Sequence, residues 1–528
     1  MVSRNNFFLT LIVVLSMAIG YMVGKKMTLD SNAVVSNHPS IQKLNRLITY
    51  ISEDYVDKIN TDSLVRVVIQ DVVGALDPHS VYIPAEEQQA LSESMHGNFE
   101  GIGVQFNMVE DTIAVVRVLE GGPSEKAGLL HGDRILVADK DTLYQKQLSS
   151  EEIIKKLKGP SGTPIKLKIY RKNTDSIYTF SLKRGEVPLP SIPSYYMVNA
   201  ETGYIQINRF SQTTYPEFKA ALENLVEQQM QNLILDLRGN PGGYLHPAKQ
   251  IADDFLEEGK PIVIVEGNNG VRERTVASSS GLFEKGNLYI LVDENSASAS
   301  EVVAGAIQDN DRGWIIGRRT FGKGLVQQQM PLGEGDQLRI TTARYYTPTG
   351  RSIQRPYDLQ DKREYYAEAQ SLYHDQDENE NKVTQKDSLS FTTPSGRIVY
   401  GGGGIRPDVY LPHTESPEEA WNSFLLRSNW VNNFVFFELD KHYKDYRFDN
   451  IQTFLNDPLP NKEAIVIAFE TYCKENNIPF EIQNQNALLN SIKAYIALQV
   501  FDENLYTQII NQNDSFMQRT LEEIGRVE

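Results

Sequence analysis

Three serines alternating with alanines, in Asn295-Ser-Ala-Ser-Ala-Ser-Glu301, carry the first chemical signal in the chain. The apolar run Leu288-Tyr-Ile-Leu-Val292 precedes them and reads as a short buried strand. Glu301-Val-Val-Ala-Gly-Ala-Ile-Gln308 follows them with helical spacing. A serine thus stands where a strand turns into a helix. The unpaired N–H groups of a helix N-terminus suit a developing oxyanion. A serine hydroxyl is a weak nucleophile without a base, and Lys323 in Thr320-Phe-Gly-Lys-Gly-Leu-Val-Gln327 offers one. The plain alternative is that the serines are helix caps and small packing residues.

Lysine serves as a base only at a cost. With an ordinary pKa of about 10.4, roughly one lysine in a few thousand is neutral at pH 7. Lowering that value to near 7 takes about 3 units, or about 4 kcal/mol, against the ammonium form. Burial among Phe321, Leu325 and Val326 is the expected source. His246, just after a glycine loop, is the alternative base. A second grouping, Asp77-Pro-His-Ser80, invites a triad reading, but Asp-Pro is a turn signal and a capped turn is preferred.

Ser-Ala-Ser-Ala-Ser-Glu followed by Phe-Gly-Lys-Gly-Leu-Val-Gln resembles the carboxyl-terminal processing (tail-specific) serine peptidases, which use a Ser-Lys dyad. The resemblance implies Ser298 as nucleophile, Lys323 as base and Gln327 as the group that orients the lysine. It also implies an oxyanion hole of backbone N–H groups from Ala299 and from Gly242 or Gly243 in Arg238-Gly-Asn-Pro-Gly-Gly243; sequence leaves the two glycines unresolved. That loop lacks the Gly-Lys-Ser/Thr ending of a phosphate loop. Gly122-Pro-Ser-Glu-Lys-Ala-Gly-Leu-Leu-His-Gly-Asp-Arg-Ile-Leu136 resembles a PDZ signature. On that resemblance Gly101, Ile102, Gly103 and Val104 form the loop that binds a peptide's terminal carboxylate, and the next strand is the edge to which the peptide adds.

The elements that must position these residues read in order. Residues 1–27 hold an apolar run, Phe7 to Val23, flanked by Arg4 and Lys25-Lys26, and form an uncleaved anchor or a cleaved signal. Either places the bulk of the chain outside the cytoplasm, in the cell envelope or periplasm. Residues 38–96 read as helical, 97–184 as the PDZ domain, and 185–413 as the peptidase core. In the core, strands at 203–208, 232–237, 262–265 and 288–292 alternate with helices, which gives an α/β fold, a sandwich in the resembled family. Active groups of such sheets gather at strand ends. Leu338 to Tyr346 alternates as a further strand, and Gly401-Gly-Gly-Gly-Ile-Arg-Pro-Asp408 returns to the core after an acidic insertion at 357–392. Residues 414–528 are mostly helical, with Leu489, Ile492, Ile496 and Val500 on one face.

The 528 residues carry a net charge of −17, which argues against nucleic acid as a partner. The single cysteine, Cys473, permits no intramolecular disulfide. No metal motif occurs, and no cofactor is expected. The expected partners are proteins or peptides with apolar C-termini, the membrane through the N-terminal segment, and a second copy through the helical ends. A packing role for 414–528 is the alternative to self-association. Beside the peptidase reading stand two others: a PDZ binding scaffold on an inactive core, and an envelope protein that assembles through its helices.

Overall fold

Alternation along the strands sets the architecture. The computed structural model describes residues 38–279, 281–357, 365–367, 389–412, 417–442, 448, 450–456, 459 and 461–527. The chain divides into two units, one ending at Tyr82 and one starting at Ile83.

The first unit holds helices α1 (Pro39–Asp54) and α2 (Thr61–Gly74). Along α1 the apolar Ile41, Leu44 and Leu47 are exposed. Asn60 caps α2 by accepting the Ser63 N–H at 3.1 Å. The turn at Asp77 is built as a capped turn: its carboxylate accepts the N–H groups of His79 and Ser80, each at 2.7 Å, and the Ser80 hydroxyl at 2.6 Å. The segment read as an anchor, 1–27, lies outside the described residues. Among the described residues no helix is long and apolar enough to cross a membrane.

The second unit opens with α3 (Ala85–His96), which the left-handed Gly97 ends. An antiparallel sheet follows in the order β1 (Val104–Val109), β2 (Thr112–Val118), β3 (Arg134–Ala138), β4 (Pro164–Arg171), β5 (Ser176–Lys183). In β4 burial alternates strictly from Pro164 to Ile169, so Ile165, Leu167 and Ile169 face a core shared with Ile113, Val115, Ile135 and Ile153. Strand β1 is at the edge of the sheet.

The region from Ser194 onward is organised on a six-stranded sheet in the order β6 (Ser194–Met197), β7 (Thr202–Gln206), β8 (Asn232–Asp236), β11 (Asn287–Val292), β12 (Trp314–Gly317), β15 (Val409–Tyr410). From β7 to β15 all neighbours are parallel. Ile205, Leu233, Leu235, Leu288, Ile290 and Ile315 pack with the apolar faces of α5 (Thr214–Glu227), α6 (Leu245–Asp253) and α7 (Ala299–Asp309); α4 (Ser150–Leu157) belongs to the preceding sheet and buries Ile153 and Leu157 there. The alternate residues Tyr204, Ile234, Tyr289, Leu291 and Ile316 pack on the opposite side against Met517 and Ile524. Central parallel strands buried on both faces read as continuous apolar runs, as β8 and β11 do.

A second sheet joins β13 (Leu325–Gly333), β14 (Asp336–Tyr346), β9 (Pro261–Gly267) and β10 (Arg272–Val276) through antiparallel pairs. The expected strand at 262–265 therefore belongs to this sheet and not to the parallel one. The acidic insertion lies largely outside the described residues.

The C-terminal helices bridge the two regions. Asp440 of α8 (Asn429–Lys441) pairs with Arg134 of β3 at 2.8 Å, each side chain 12% exposed. Asn433 accepts from Asn107 of β1 at 3.1 Å. Helix α9 (Gln485–Val500) buries Leu488, Ile492 and Ile496, whereas Leu489 is half-buried and Val500 exposed, because the inward stripe runs through Leu488, Ser491, Ile492, Tyr495 and Gln499. Helices α10 (Glu503–Gln512) and α11 (Ser515–Val527) then reach the parallel sheet, where α11 supplies Met517 and Ile524.

Asp254 follows α6 and is 3% exposed; burial pushes its carboxyl up to about 6. Its folded value exceeds the ordinary 3.8, so the stabilisation it provides is complete below about pH 4 and is lost as pH rises through 6. Asp254→Asn should remove this dependence. The unfolding free energies of parent and variant, measured against pH, should diverge by about 3 kcal/mol between pH 4 and 7, with the parent the one that loses stability.

Candidate functional site

Ser298 occupies the turn between β11 and α7 with φ 55° and ψ −110°. A non-glycine residue held there is strained, and such strain persists only where the surroundings fix it. The surroundings are specific. The Ser298 N–H donates to Glu301 Oε2 at 2.8 Å. Glu301 is the third residue of α7, and that helix is buried on every side.

Glu301 reaches across to the segment that carries Lys323. Its Oε2 also accepts the Lys323 N–H at 2.9 Å, and its Oε1 accepts the Gly322 N–H at 2.7 Å and the Thr320 hydroxyl at 2.6 Å. One carboxylate therefore holds the main chain of both Ser298 and Lys323. Glu301 has no exposed surface, and burial pushes its carboxyl up while the four donors act in the opposite direction. The buried Tyr345 hydroxyl lies 2.7 Å from the Lys323 carbonyl and 3.1 Å from the Ser298 carbonyl. Burial raises its pKa well above the ordinary tyrosine range, which keeps it a donor.

The Lys323 ammonium or amine nitrogen lies 2.9 Å from Gln327 Oε1. Gln327 stands on β13, so strand geometry and not a helical turn brings it back to the lysine. Lys323 itself is half-buried. His246 is exposed in the first turn of α6.

The glycine loop closes the other side. A Cβ on Gly242 would come within 2.8 Å of Ser298 Cβ and 2.6 Å of the Ala297 carbonyl oxygen, and its φ is +94°. Only glycine fits so close to the serine. The Gly242 N–H is committed to Asn240 Oδ1 at 2.9 Å. Among the described residues the N–H groups of Gly243 and Ala299 donate to no acceptor. The structure thus brings Ser298, Ala299, Gly242, Gly243, Lys323 and Gln327 into one neighbourhood. Gly101, Ile102, Gly103 and Val104 lie apart from them, on the loop that leads into β1. There the Ile102 and Gly103 carbonyls accept the N–H groups of Ser124 (2.8 Å) and Leu119 (3.0 Å), while the N–H groups of Ile102 and Gly103 donate to no acceptor among the described residues.

Sequence reasoning missed Glu301, Tyr345 and Asn240. The signal for Glu301 was available: a serine followed three residues later by glutamate at a helix start is the spacing at which the acid returns to the N-cap N–H. Tyr345 and Asn240 act through long-range packing and a local side-chain turn, for which the sequence carried no distinct mark. Among the described residues no group of three His, Cys, Asp or Glu side chains could hold a metal. Chemically, the arrangement offers a strained hydroxyl at a helix N-terminus, free backbone donors beside it and an amine held nearby.

The family model for a PDZ domain matches residues 101–182, and that for Peptidase family S41 matches residues 201–360. The chain is 34% identical over 333 residues to the carboxy-terminal-processing protease of Bartonella bacilliformis, covering 62% of this chain and 75% of that protein. It is 32% identical over 352 residues to carboxy-terminal processing protease CtpA of Bacillus subtilis, covering 66% and 74%. Against CtpB of the same organism it is 32% identical over 319 residues, covering 60% of this chain and 66% of that protein. The chain belongs to the carboxy-terminal processing proteases of peptidase family S41, and is a serine-type peptidase with a PDZ domain.

Glu301→Gln places an amide NH2 where donors now point, leaving at least one buried N–H without an acceptor, at about 1–3 kcal/mol each. The expected outcome is a lower melting temperature together with a fall in kcat of about 100-fold or more, because the Ser298 and Lys323 segments lose their common anchor. Thermal unfolding and steady-state kinetics on the same preparation check it.

Proposed function

We propose that the protein is an endopeptidase that captures substrate C-termini with its PDZ domain and cuts upstream through a Ser298–Lys323 dyad. The observation that carries this reading is the single Glu301 carboxylate that holds the main chain of both residues, with Lys323 Nζ on Gln327 Oε1. Ser298 attacks the scissile carbonyl, and its proton passes to neutral Lys323. The oxyanion forms against the N–H groups of Gly243 and Ala299; the bond from Gly242 to Asn240 favours Gly243 of the two glycines. The lysine then protonates the leaving amine, and water, deprotonated by the same lysine, releases the acyl group from Ser298.

On this reading residues 185–413 form one α/β sandwich interrupted by 357–392. Gly101, Ile102, Gly103 and Val104 receive the terminal carboxylate, and the edge strand β1 receives the peptide. Apolar C-termini are the proposed substrates. Residues 1–27 anchor the chain, with the enzyme in the cell envelope, outside the cytoplasm. The exposed stripe of Ile41, Leu44 and Leu47 on α1 supports self-association through the helical ends.

The test incubates the full chain, Ser298→Ala and Lys323→Ala with an unfolded protein that ends in apolar residues, and with the same protein amidated at its C-terminus. Cleavage by the parent alone, reduced about 10-fold by amidation, is expected. Cleavage that persists in Ser298→Ala removes the nucleophile. Binding of the substrate without cleavage by any form supports the scaffold reading instead.

A further inference from the structure

The hairpin of β13 and β14 carries more than Gln327. Its register sets Gln327 opposite Thr341 and Gln329 opposite Arg339. Residues directly opposite in an antiparallel pair share a face, as do residues two apart along a strand. Gln329 and Arg339 therefore stand on the face that presents Gln327 to Lys323 Nζ. They lie about 7 Å farther along the hairpin, two residues of extended chain.

Arg339 is half-buried, and no carboxylate among the described residues pairs with it. The ionisable group that acts on it is the phenol of Tyr244, which directly follows Gly243, and burial lowers the guanidinium below its ordinary range. Tyr244 is 41% exposed. A cation that has given up part of its hydration without a counter-charge is costly to keep, and a planar guanidinium is shaped to take a carboxylate with two parallel hydrogen bonds.

The tip of the hairpin meets the start of α3. The Ala85 N–H donates to Asp336 Oδ1 at 2.9 Å. Ala85 begins α3, which runs to Gly97 and the strand Asn98–Gly101 that enters the PDZ loop. The end of α3 that enters the PDZ domain instead lies beside the glycine loop, where the Met95 carbonyl accepts the Gln212 N–H at 2.9 Å and Phe210 bonds Gly242 and Tyr244, so Arg339, on which Tyr244 acts, stands on the side from which the PDZ domain is entered.

We propose that Arg339 is a specificity-determining contact for an acidic side chain, Asp or Glu, carried by the substrate two or three residues C-terminal to the bond that is cut. The inference rests on the peptidase reading above, with the substrate's C-terminus held by the PDZ domain. Neutral residues at that position leave the guanidinium without a counter-charge, and lysine is repelled.

The test is a set of equal-length peptides with one apolar C-terminal sequence, in which Asp, Asn or Lys is moved singly through four positions on each side of the scissile bond. The full chain should prefer Asp over Asn by about 10-fold in kcat/KM at the second or third position on the C-terminal side. In Arg339→Gln that ratio should fall to about 1. In Arg339→Glu it should invert in favour of Lys, while Arg339→Lys keeps part of the preference. Because each ratio is taken within one enzyme, a general loss of activity or stability does not move it. A flat scan in the parent, a preference on the N-terminal side, or a ratio unchanged in Arg339→Gln overturns the proposal. Cleavage without an Asp preference overturns this proposal alone; no cleavage of any peptide by the parent overturns the peptidase reading with it.

Discussion

A buried carboxylate with four donors aimed at it is the constraint on which the site depends. Glu301 cannot be hydrated, so it must be hydrogen-bonded, and the donors available to it are the main-chain groups of Ser298, Gly322 and Lys323 and the hydroxyl of Thr320. The serine segment and the lysine segment are thereby fixed by the same unfavourable term, the cost of leaving that charge unpaired. Each segment is irregular: one a strained turn, the other an extended loop entering a strand. Neither has a ladder of its own, and the carboxylate supplies what a ladder would.

The two sheets divide the work. The parallel sheet ends at the serine turn and the glycine loop, where helix N-termini and strand ends meet, while the antiparallel sheet delivers Lys323 and Gln327 from the side. Thr320 also accepts the Ile405 N–H and donates its own N–H to the Ile405 carbonyl, which ties the lysine segment to the chain returning after residue 400. Segments distant in sequence thus close on one another through short polar contacts in a dry interior, where each is stronger than in water.

The parallel strands were legible because burial on both faces writes an unbroken apolar run, as in Leu288 to Val292, and the helix after the serines was legible from its small and apolar residues. The spacing of Ser298, Lys323 and Gln327 was legible as a resemblance. The hairpin strand Leu325–Gly333 was not: Gln327, Gln328 and Gln329 stand in a row, and Gln328 to Gly333 are exposed, so no period of two is written there. The proposed preference for Gly243 over Gly242 rests on a side chain, Asn240, that occupies the Gly242 N–H. The helical spacing on α9 announced an apolar face but placed Val500 on it, because the last buried position of the stripe is the polar Gln499, which a search for apolar spacing passes over.

The guanidinium of Arg238 binds Asp236 and, at 2.7 Å, Asp514, and lies 4.6 Å from the ring of Phe516. Arg238 opens the glycine loop, and Asp514 and Phe516 lie at the head of α11, the helix that also covers the second face of the parallel sheet. During synthesis the serine, the lysine and the glycine loop emerge long before these partners. Until they arrive, one face of the sheet is bare and the loop lacks its outer support. The loop beside Ser298 thus takes its outer contact from a residue 276 positions further along the chain, and that contact can form only once nearly the whole chain has been made.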